Sequence, residues 1–282
     1  MWIFFVLLCL FLAVTVTIFF AISPRRRRNT APFNHTLYAH RGLHNNDGTC
    51  PENSLAAFKA AKEAGYGVEL DVRFTADQYV VVFHDDTLLR MCGNPNRVDE
   101  CTYKQLQELR LLNTDERIPL LSEVLDVLDD TSILCEIKPM RSYLDTSLCE
   151  KANQILTSHN ASYCIESFNP YSVRWFRKNA PDVIRGVLSK RYNKGEIKPD
   201  ILRHLLTALM TNFLCRPDFI AYQHTDYRQP FFRLCKAFRP TTFAWTIRSL
   251  EEQRKAARLF DSFIFEGYKP PVNGDKSFSK KV

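Results

Sequence analysis

The chain has 282 residues, nine of which are cysteines, and carries a net charge of +7. The four consecutive arginines at positions 25–28 supply four of these seven charges, which leaves +3 for the rest of the chain. That balance excludes the strongly basic surface of a nucleic-acid-binding protein. An odd number of cysteines without a Cys-x-x-Cys pair excludes a secreted disulfide framework and a cysteine zinc site, and it predicts reduced, mostly buried thiols.

The first predicted element is an apolar helix over residues 2–22, which contains no charged residue and is long enough to span a bilayer. A cleaved signal peptide would carry its positive charge before the apolar segment, and small residues at a cleavage site, and both are missing. The arginines that follow place the rest of the chain in the cytoplasm by the positive-inside rule. We therefore expect a single-pass membrane protein, with residues 1–23 as the transmembrane anchor and 24–36 as a basic juxtamembrane linker that contacts anionic lipid.

Strand-like and helix-like segments then alternate over roughly 240 residues, which is ample for one large core. The predicted strands cover 37–40, 67–72, 131–137, 162–166, 183–188, 218–222, 241–247 and 261–265. The predicted helices cover 54–64, 102–111 with 120–129, 146–158, 170–179, 199–212, 229–237 and 249–258. Eight strands separated by helices predict an α/β fold, a closed (β/α)8 TIM barrel over 37–269, followed by a flexible tail at 270–282. The alternative, an open doubly wound sheet, requires a glycine-rich phosphate loop that the sequence lacks.

A further strand at 79–84 follows the second barrel strand after a link that is too short for a parallel crossover. The two strands should therefore pair antiparallel as a hairpin. Glu69 and Asp71, two positions apart on one strand, point to the same face, and the hairpin turn brings His84 beside them. The alternative is an ordinary exposed hairpin with its polar residues outward.

In a TIM barrel the reacting groups lie at the C-terminal ends of the strands. His40 and Arg41 end the first predicted strand, and Glu136 and Lys138 end the strand at 131–137. Later strands end in four further polar or aromatic residues: Glu166, Gln223, Trp245 and Glu266. Of these, Trp245 is the candidate for substrate binding, and the alternative for it is a place in the core.

The residue types at this rim predict a phosphate site that contains a metal. Three carboxylates without cysteine or clustered histidine form a hard oxygen site, suited to one divalent cation, Mg²⁺ or Ca²⁺. The carboxylates are Glu69, Asp71 and Glu136. Arg41 and Lys138 add positive charge for phosphate. His40 and His84 could act as general base and general acid, although a single histidine taken alone is more often a hydrogen-bonded structural residue.

Five motifs occur in a fixed order along the chain. They are His-Arg-Gly at 40–42, Pro-Glu-Asn-Ser at 51–54, Glu-x-Asp-Val at 69–72, Val-Val-Phe-His-Asp at 81–85 and Glu-Ile-Lys-Pro at 136–139. This combination resembles the glycerophosphodiester phosphodiesterase family, from about Leu37 to about Glu266. The resemblance implies a phosphoric diester hydrolase that cleaves glycerophosphodiesters to sn-glycerol 3-phosphate and an alcohol.

The resemblance also implies a role for each matching residue. His40 and His84 become the catalytic pair, and Arg41 and Lys138 the phosphate contacts. The implied metal ligands are Glu69, Asp71 and Glu136. Glu52 matches the family's Pro-Glu-Asn motif, and whether it reaches the metal or braces Arg41 is left open.

Two other functions remain as alternatives. The first is a lysophospholipase D that acts on lysolipids at the membrane, for which Tyr222, Phe231 and Phe232 are candidate walls of an apolar groove, with the core as their other possible place. The second is a non-catalytic membrane scaffold on a degenerate barrel, but none of the expected carboxylates or histidines is missing. The predicted partners are the substrate and the lipid bilayer, without a nucleic acid or a protein partner.

Overall fold

The strands are short runs dominated by Val, Ile, Leu, Phe and Ala, and most of their residues are buried. Burial on both faces is what a parallel strand needs when helices cover it outside and side chains fill the space inside. In the computed structural model, which describes residues 1–25, 30–34 and 36–271, eight of these strands close into a parallel barrel. The predicted TIM barrel is therefore confirmed.

The strands in chain order are β1 (Leu37–His40), β2 (Gly67–Phe74), β3 (Val80–Val82), β4 (Ile133–Ile137), β5 (Tyr163–Ser167), β6 (Arg185–Ser189), β7 (Phe219–Gln223), β8 (Thr241–Ile247) and β9 (Ser262–Phe265). Parallel pairing runs from β1 through β2 and β4 to β9, and β9 pairs with β1 to close the barrel. β3 lies at the rim and pairs antiparallel with β2, with Val82 opposite Val72, so the predicted hairpin is present.

The helices in chain order are α1 (Trp2–Ile22), α2 (Leu55–Glu63), α3 (Leu89–Cys92), α4 (Tyr103–Leu106), α5 (Leu121–Leu128), α6 (Ser147–Ser158), α7 (Pro170–Asn179), α8 (Asp200–Thr207), α9 (Asn212–Cys215), α10 (Pro230–Cys235) and α11 (Leu250–Ala256). Local signals account for several ends. The Ser54 hydroxyl accepts a hydrogen bond from the Ala57 N–H (3.1 Å) and begins α2. Gly93, with φ of 67°, ends α3.

Two predicted helices are wrong in extent. The segment at 102–111 forms only the single turn α4, and the chain then bends so that Leu111 is buried while Leu112 takes a left-handed conformation with φ of 49°. The segment at 199–212 stops at α8 because Leu209 is also left-handed, with φ of 56°, and turns inward to be buried. In both places burial of a leucine overrides the local preference for helix.

The barrel has two ends: the base, where the strands begin, and the mouth, where they finish. Phe33, from a short 3-10 helix (Ala31–Phe33), is buried in the side-chain cluster that fills the barrel, and it closes the base. Two hydrogen bonds hold this segment: Thr30 Oγ1 lies 2.7 Å from Thr241 Oγ1, and the Ser262 hydroxyl donates to the Phe33 carbonyl (3.2 Å). The segment before β1 therefore crosses the base.

α1 carries no charged residue, and its side chains from Trp2 to Phe20 are not buried in the rest of the chain. Its length and composition are those of a helix that crosses a membrane, which a signal sequence shares. The last turn touches the base, where the Asn212 side chain donates to the Ile22 carbonyl (2.8 Å) and the ring of Phe20 lies 6.3 Å from that of Phe213. α1 therefore leaves the barrel at the base.

Some predictions fall on residues that the structure does not describe. Three of the arginines behind the topology prediction, at positions 26–28, lie outside the described residues, as does nearly all of the predicted tail at 270–282. The cysteines are described in full: all nine are free thiols and six of them are buried, as predicted.

Candidate active site

The turn after β1 is built by His40, Arg41 and Gly42. Gly42 has φ of 83°, and a Cβ there would lie 2.8 Å from the backbone of Ala57, so this position requires glycine. The turn brings the Arg41 N–H to Glu69 Oε2 (3.0 Å). The Arg41 guanidinium reaches towards Asp71 Oδ2, with its Nε 3.5 Å away. The His-Arg-Gly motif is thus a tight turn that aims an arginine at the acidic residues of β2.

Three carboxylates meet at the mouth. Glu69 and Asp71 lie on β2, and Glu136 lies on β4 directly opposite Asp71 in the parallel register. One oxygen from each carboxylate falls within 4.8 Å of the others, and all three residues are buried. Asn53 holds one of them in place, because its side-chain amide donates to Asp71 Oδ2 (2.9 Å).

The charges in this cluster are strongly coupled. Burial and the neighbouring carboxylates of Asp71 and Glu136 raise the pKa of Glu69. Burial acts in the same direction on Asp71, but the Lys138 ammonium, 2.7 Å from Oδ1, outweighs it and holds the pKa of Asp71 well below its usual range. Lys138 also lies 2.8 Å from Glu136 Oε1. One lysine therefore compensates part of a larger negative charge.

The donor set fits a hard divalent cation. All three groups offer carboxylate oxygens, and the cluster contains neither a thiol nor an imidazole ligand among the described residues. Buried like charges repel each other, and a bound cation would relieve that repulsion while keeping the carboxylates ionised. Glu69, Asp71 and Glu136 are the residues that would hold it.

Each of the two predicted catalytic histidines has a carboxylate on Nδ1. His40 Nδ1 lies 3.0 Å from Glu266 Oε2, and its Nε2 faces the cluster at 3.9 Å from Glu69. His84 Nδ1 lies 2.6 Å from Asp85 Oδ1. A carboxylate on Nδ1 fixes the ring orientation and leaves Nε2 directed elsewhere. Burial lowers the pKa of His40 to about 4, even though Glu266 opposes that shift.

Glu52 belongs to an arginine network and not to the carboxylate cluster. Its Oε1 lies 2.7 Å from Arg41 Nη1 and accepts from Arg90 Nη2 (2.6 Å). Its Oε2 accepts from the Asn46 side chain (2.7 Å). Burial alone would raise the pKa of Glu52, but the hydrogen bonds and charges of Arg90 and Arg41 lower it to about 2. Of the two roles left open for Glu52, the geometry is that of a brace for Arg41.

With this geometry in place, the chain can be compared with known proteins. The model of the glycerophosphoryl diester phosphodiesterase family matches residues 40–264, which contain both histidines and all three carboxylates. The chain belongs to this family. A glycerophosphodiester phosphodiesterase of Caldanaerobacter subterraneus subsp. tengcongensis is 35% identical over 173 residues, which are 58% of this chain and 69% of that protein. A putative glycerophosphodiester phosphodiesterase of Bacillus subtilis is 29% identical over 79% of this chain and 89% of its own length.

Solved structures of phosphodiesterases share the fold. A phosphodiesterase of Oleispira antarctica, solved in complex with the product sn-glycerol-3-phosphate, superposes with a TM-score of 0.68 at 22% identity, over 85% of this chain and 95% of that one. The glycerophosphodiester phosphodiesterase of Thermotoga maritima gives a TM-score of 0.61 at 26% identity, over 82% and 93%. Family membership and fold agree, and the chain is a phosphodiesterase.

The later rim residues of this phosphodiesterase differ in their surroundings. Glu166 is buried beside Glu136, and burial together with the charges of Glu69 and Glu136 raises its pKa, which favours the neutral acid. Trp245 packs edge-on against Phe168, with ring centres 5.5 Å apart. Its buried indole N–H has no hydrogen-bond acceptor among the described residues. Trp245 therefore keeps an unused donor close to the mouth.

Two of the three candidate walls of an apolar groove lie in the core. The Phe232 ring stacks on Tyr222 with centres 4.2 Å apart, and both are buried in the core between the barrel and the helices. The alternative reading of these two residues as core is the one that the structure supports. Phe231 is half-buried on α10.

Four residues of the site received no specific role from the sequence. Asn53 and Asp85 lie inside the quoted motifs, and Glu266 ends the last strand, so the sequence already marked their positions. Arg90 carried no signal of its own. It reaches Glu52 and Asp85 only because α3, which the sequence did not predict, folds back over the mouth.

Proposed function

We propose that this phosphodiesterase hydrolyses glycerophosphodiesters to sn-glycerol 3-phosphate and an alcohol, with one divalent cation, Mg²⁺ or Ca²⁺, held by Glu69, Asp71 and Glu136. The observation that carries the proposal is the convergence of three buried carboxylates and two carboxylate-bound histidines at one mouth. The cation would supply positive charge to a phosphate oxygen on which negative charge develops. The product bound to the Oleispira antarctica enzyme supports the choice of product.

Arg41 and Lys138 are proposed to bind the phosphate. The Arg41 guanidinium is held by Glu52, and Arg90 in turn donates to Glu52. The guanidinium of Arg41 is therefore fixed in orientation before the substrate binds. Such preorganisation lowers the entropy cost of binding a phosphate through two hydrogen bonds from one guanidinium. Lys138 lies between two of the proposed metal ligands, where its charge reaches the same phosphate as a point charge.

His40 and His84 are proposed as the acid–base pair. Glu266 and Asp85 hold their Nδ1 atoms, which leaves the two Nε2 atoms for proton transfer. One neutral imidazole removes the proton from the oxygen that attacks phosphorus. The other, in its protonated form, delivers a proton to the departing alcohol oxygen, so that the leaving group departs as a neutral alcohol. Trp245 is proposed to donate its indole N–H to the bound substrate.

We propose water-soluble glycerophosphodiesters and not lysophospholipids as the main substrates. A lysolipid needs an apolar groove for its acyl chain, and two of the residues that were candidates for its walls are core residues. The cavity beside Glu266 has a mixed lining, in which polar side chains such as Asn45 and Asn46 alternate with apolar ones such as Leu43.

The proposed location is the membrane, with α1 as the single span and the barrel in the cytoplasm. The helix is long and apolar enough for this role. The four arginines at 25–28 follow it directly, and basic residues favour the cytoplasmic side.

The metal-dependent reaction is tested by a head-group release assay on the full chain in detergent. The substrates are glycerophosphocholine, glycerophosphoethanolamine, glycerophosphoglycerol and lysophosphatidylcholine, each with and without chelator. We expect chelation to abolish activity and added Mg²⁺ or Ca²⁺ to restore it. The variants Glu69→Gln and Glu136→Gln should be inactive with an unchanged far-UV circular dichroism spectrum. Full activity after exhaustive chelation would contradict the proposed metal, and a preference for lysophosphatidylcholine would contradict the proposed substrate.

A further inference from the structure

A second cavity lies at the opposite end of the barrel from the candidate active site. It has a volume of about 1060 Å³, is partly open to solvent, and lies between the last turns of α1 and the base. The α1 side is apolar and includes Val16, Phe19 and Phe20. The barrel side carries arginines, among them Arg177 and Arg216. A cavity with one apolar wall and one cationic wall fits an amphiphilic, negatively charged ligand.

The two arginines lack an opposing charge. Arg177 donates to the backbone carbonyls of Phe213 (3.2 Å) and Leu214 (2.9 Å). Arg216 donates to the carbonyls of Phe20 (3.0 Å) and Ser23 (2.8 Å). Within the part of the chain that the structure describes, neither guanidinium has a carboxylate at ion-pair distance.

The nearby buried carboxylate is already shared. Asp218 lies 3.7 Å from Arg25 and 3.6 Å from Arg185. Burial is the main reason why the pKa of Arg216 is lowered, and the positive charge of Arg177 adds to the same shift. An anion in this cavity would therefore meet positive charge that the protein itself leaves uncompensated.

The position of the cavity along α1 favours a lipid phosphate as the anion. The apolar side chains of α1 are exposed from Trp2 to Phe20, and the helix ends at Ile22. If these residues occupy the hydrocarbon, the last turn of α1 lies where acyl chains meet head groups. Arg177 and Arg216 then lie at the level of lipid phosphates, where basic side chains attract anionic lipids.

We infer that this cavity binds the phosphate of an anionic glycerophospholipid, with the phosphate between Arg177 and Arg216 and an acyl chain along Val16 and Phe19. The inference rests on the proposed membrane anchor and is independent of the proposed hydrolysis. A bound lipid would join α1 to the base and hold the barrel with its base towards the bilayer.

The experiment uses the full chain in nanodiscs that contain equal amounts of phosphatidylcholine and phosphatidylglycerol. Native mass spectrometry of the released protein measures which lipid is retained. One arginine near a membrane surface favours an anionic lipid about fivefold, so two predict an enrichment of phosphatidylglycerol of about 25-fold. Arg177→Gln with Arg216→Gln should bring this ratio close to one. The matched control, Arg110→Gln with Arg254→Gln, removes the same charge from exposed positions outside the cavity lining and should retain the enrichment.

A second variant separates binding from docking of the helix. Arg216 also contacts the end of α1, so its loss could release the helix. Arg177 bonds only to the base in the described structure, and Arg177→Gln alone should lower the enrichment about fivefold.

Equal retention of both lipids by the natural chain would overturn the inference, and so would unchanged enrichment of phosphatidylglycerol in Arg177→Gln. Release of phosphatidylglycerol by millimolar inorganic phosphate would overturn it as well, because it would assign the cavity to free phosphate. Hydrolysis of glycerophosphocholine, measured on the same samples, should be equal in all variants. Lipid enrichment without hydrolysis would count against the proposed function alone.

Discussion

His40 and His84 reach the mouth by different routes, one from the end of β1 and the other from the hairpin that β3 forms with β2. Each meets a carboxylate that is not among the proposed metal ligands, Glu266 for His40 and Asp85 for His84. The two imidazoles are thus oriented independently of each other. This arrangement suits a pair that acts on opposite sides of one phosphorus atom.

The histidine pair gives the first prediction. His40→Ala and His84→Ala should each lower kcat at least about 100-fold, because general acid–base catalysis contributes about 10²–10⁴-fold. The double variant should lose far less than the product of the two losses, since the residues act together. A glycerophosphodiester with a p-nitrophenolate leaving group, which needs no proton, should largely rescue whichever histidine is the acid. Loss of metal affinity in both variants, without rescue, would show that they are ligands or structural residues.

Glu52 gives a prediction about pH and stability. Its pKa of about 2 lies below the usual value of about 4.5 in the unfolded chain, so its ion pairs stabilise the folded state above about pH 4.5 and lose that effect as the pH falls towards 2. Glu52→Gln should lower the free energy of unfolding by about 1–3 kcal/mol at pH 7. Urea denaturation should show this difference shrinking steadily between about pH 5 and pH 3. If the two proteins differ in free energy of unfolding by the same amount at pH 5 and pH 3, the ion pairs of Glu52 are not the cause of the difference.

Among the structural elements, the turns that follow the barrel strands bring the residues of the sequence motifs together in the candidate site. Gly42 is required because its φ is positive and because the start of α2 leaves no room for a side chain. Gly93, at the end of α3, has a similar φ of 67° but open space around it. Substitution of Gly93 therefore measures the free-energy cost of the backbone conformation alone, whereas substitution of Gly42 adds the cost of a steric clash.

Gly42→Ala should destabilise the protein by more than Gly93→Ala. A positive φ alone costs a non-glycine residue about 1–2 kcal/mol, which is the loss expected for Gly93→Ala. The clash with Ala57 should add at least about 1 kcal/mol at Gly42 and displace Arg41, with a rise in KM. Thermal unfolding and steady-state kinetics on both variants measure the two effects. If Gly42→Ala and Gly93→Ala lose equal stability, α2 moves away from the new side chain at position 42 without a free-energy cost.

The elements also show how far a sequence predicts this fold. Strand positions were predicted within two residues because each barrel strand is a buried apolar run with clear ends. The single turn α4 and the break between α8 and α9 were not predicted, because burial of Leu111 and Leu209 decides them and local helix signals do not show which residues will be buried. The carboxylate cluster followed from the spacing of Glu69 and Asp71, whereas the Arg90 contact to Glu52 depends on a loop path that carries no local signal.

In the molecule as a whole, the two ends of the barrel carry different groups of residues. The mouth holds the carboxylates and histidines, whereas the base receives Phe33 and the end of α1. The base is plugged by residues that come after the apolar helix. Changes in α1 are therefore expected to leave the geometry of the mouth unaltered.

The proposed topology can be tested on the full chain. A reporter that is active only in the cytoplasm, fused after Lys281, should be active, because the basic run follows the span. Replacing the four arginines at 25–28 with glutamine should weaken the orientation while glycerophosphocholine hydrolysis in detergent persists. Activity of a reporter that works only outside the cytoplasm would reverse the assignment.

The attachment of α1 at the base has a kinetic consequence. Strands of four to eight residues separate the base from the mouth, which places the candidate active site roughly 15–25 Å further from the point where the helix leaves the barrel. On the proposed orientation, substrate arrives by diffusion in three dimensions through water and not by lateral diffusion in the leaflet. The turnover rate then follows the bulk concentration of substrate, and diluting the surrounding bilayer with inert lipid leaves it unchanged.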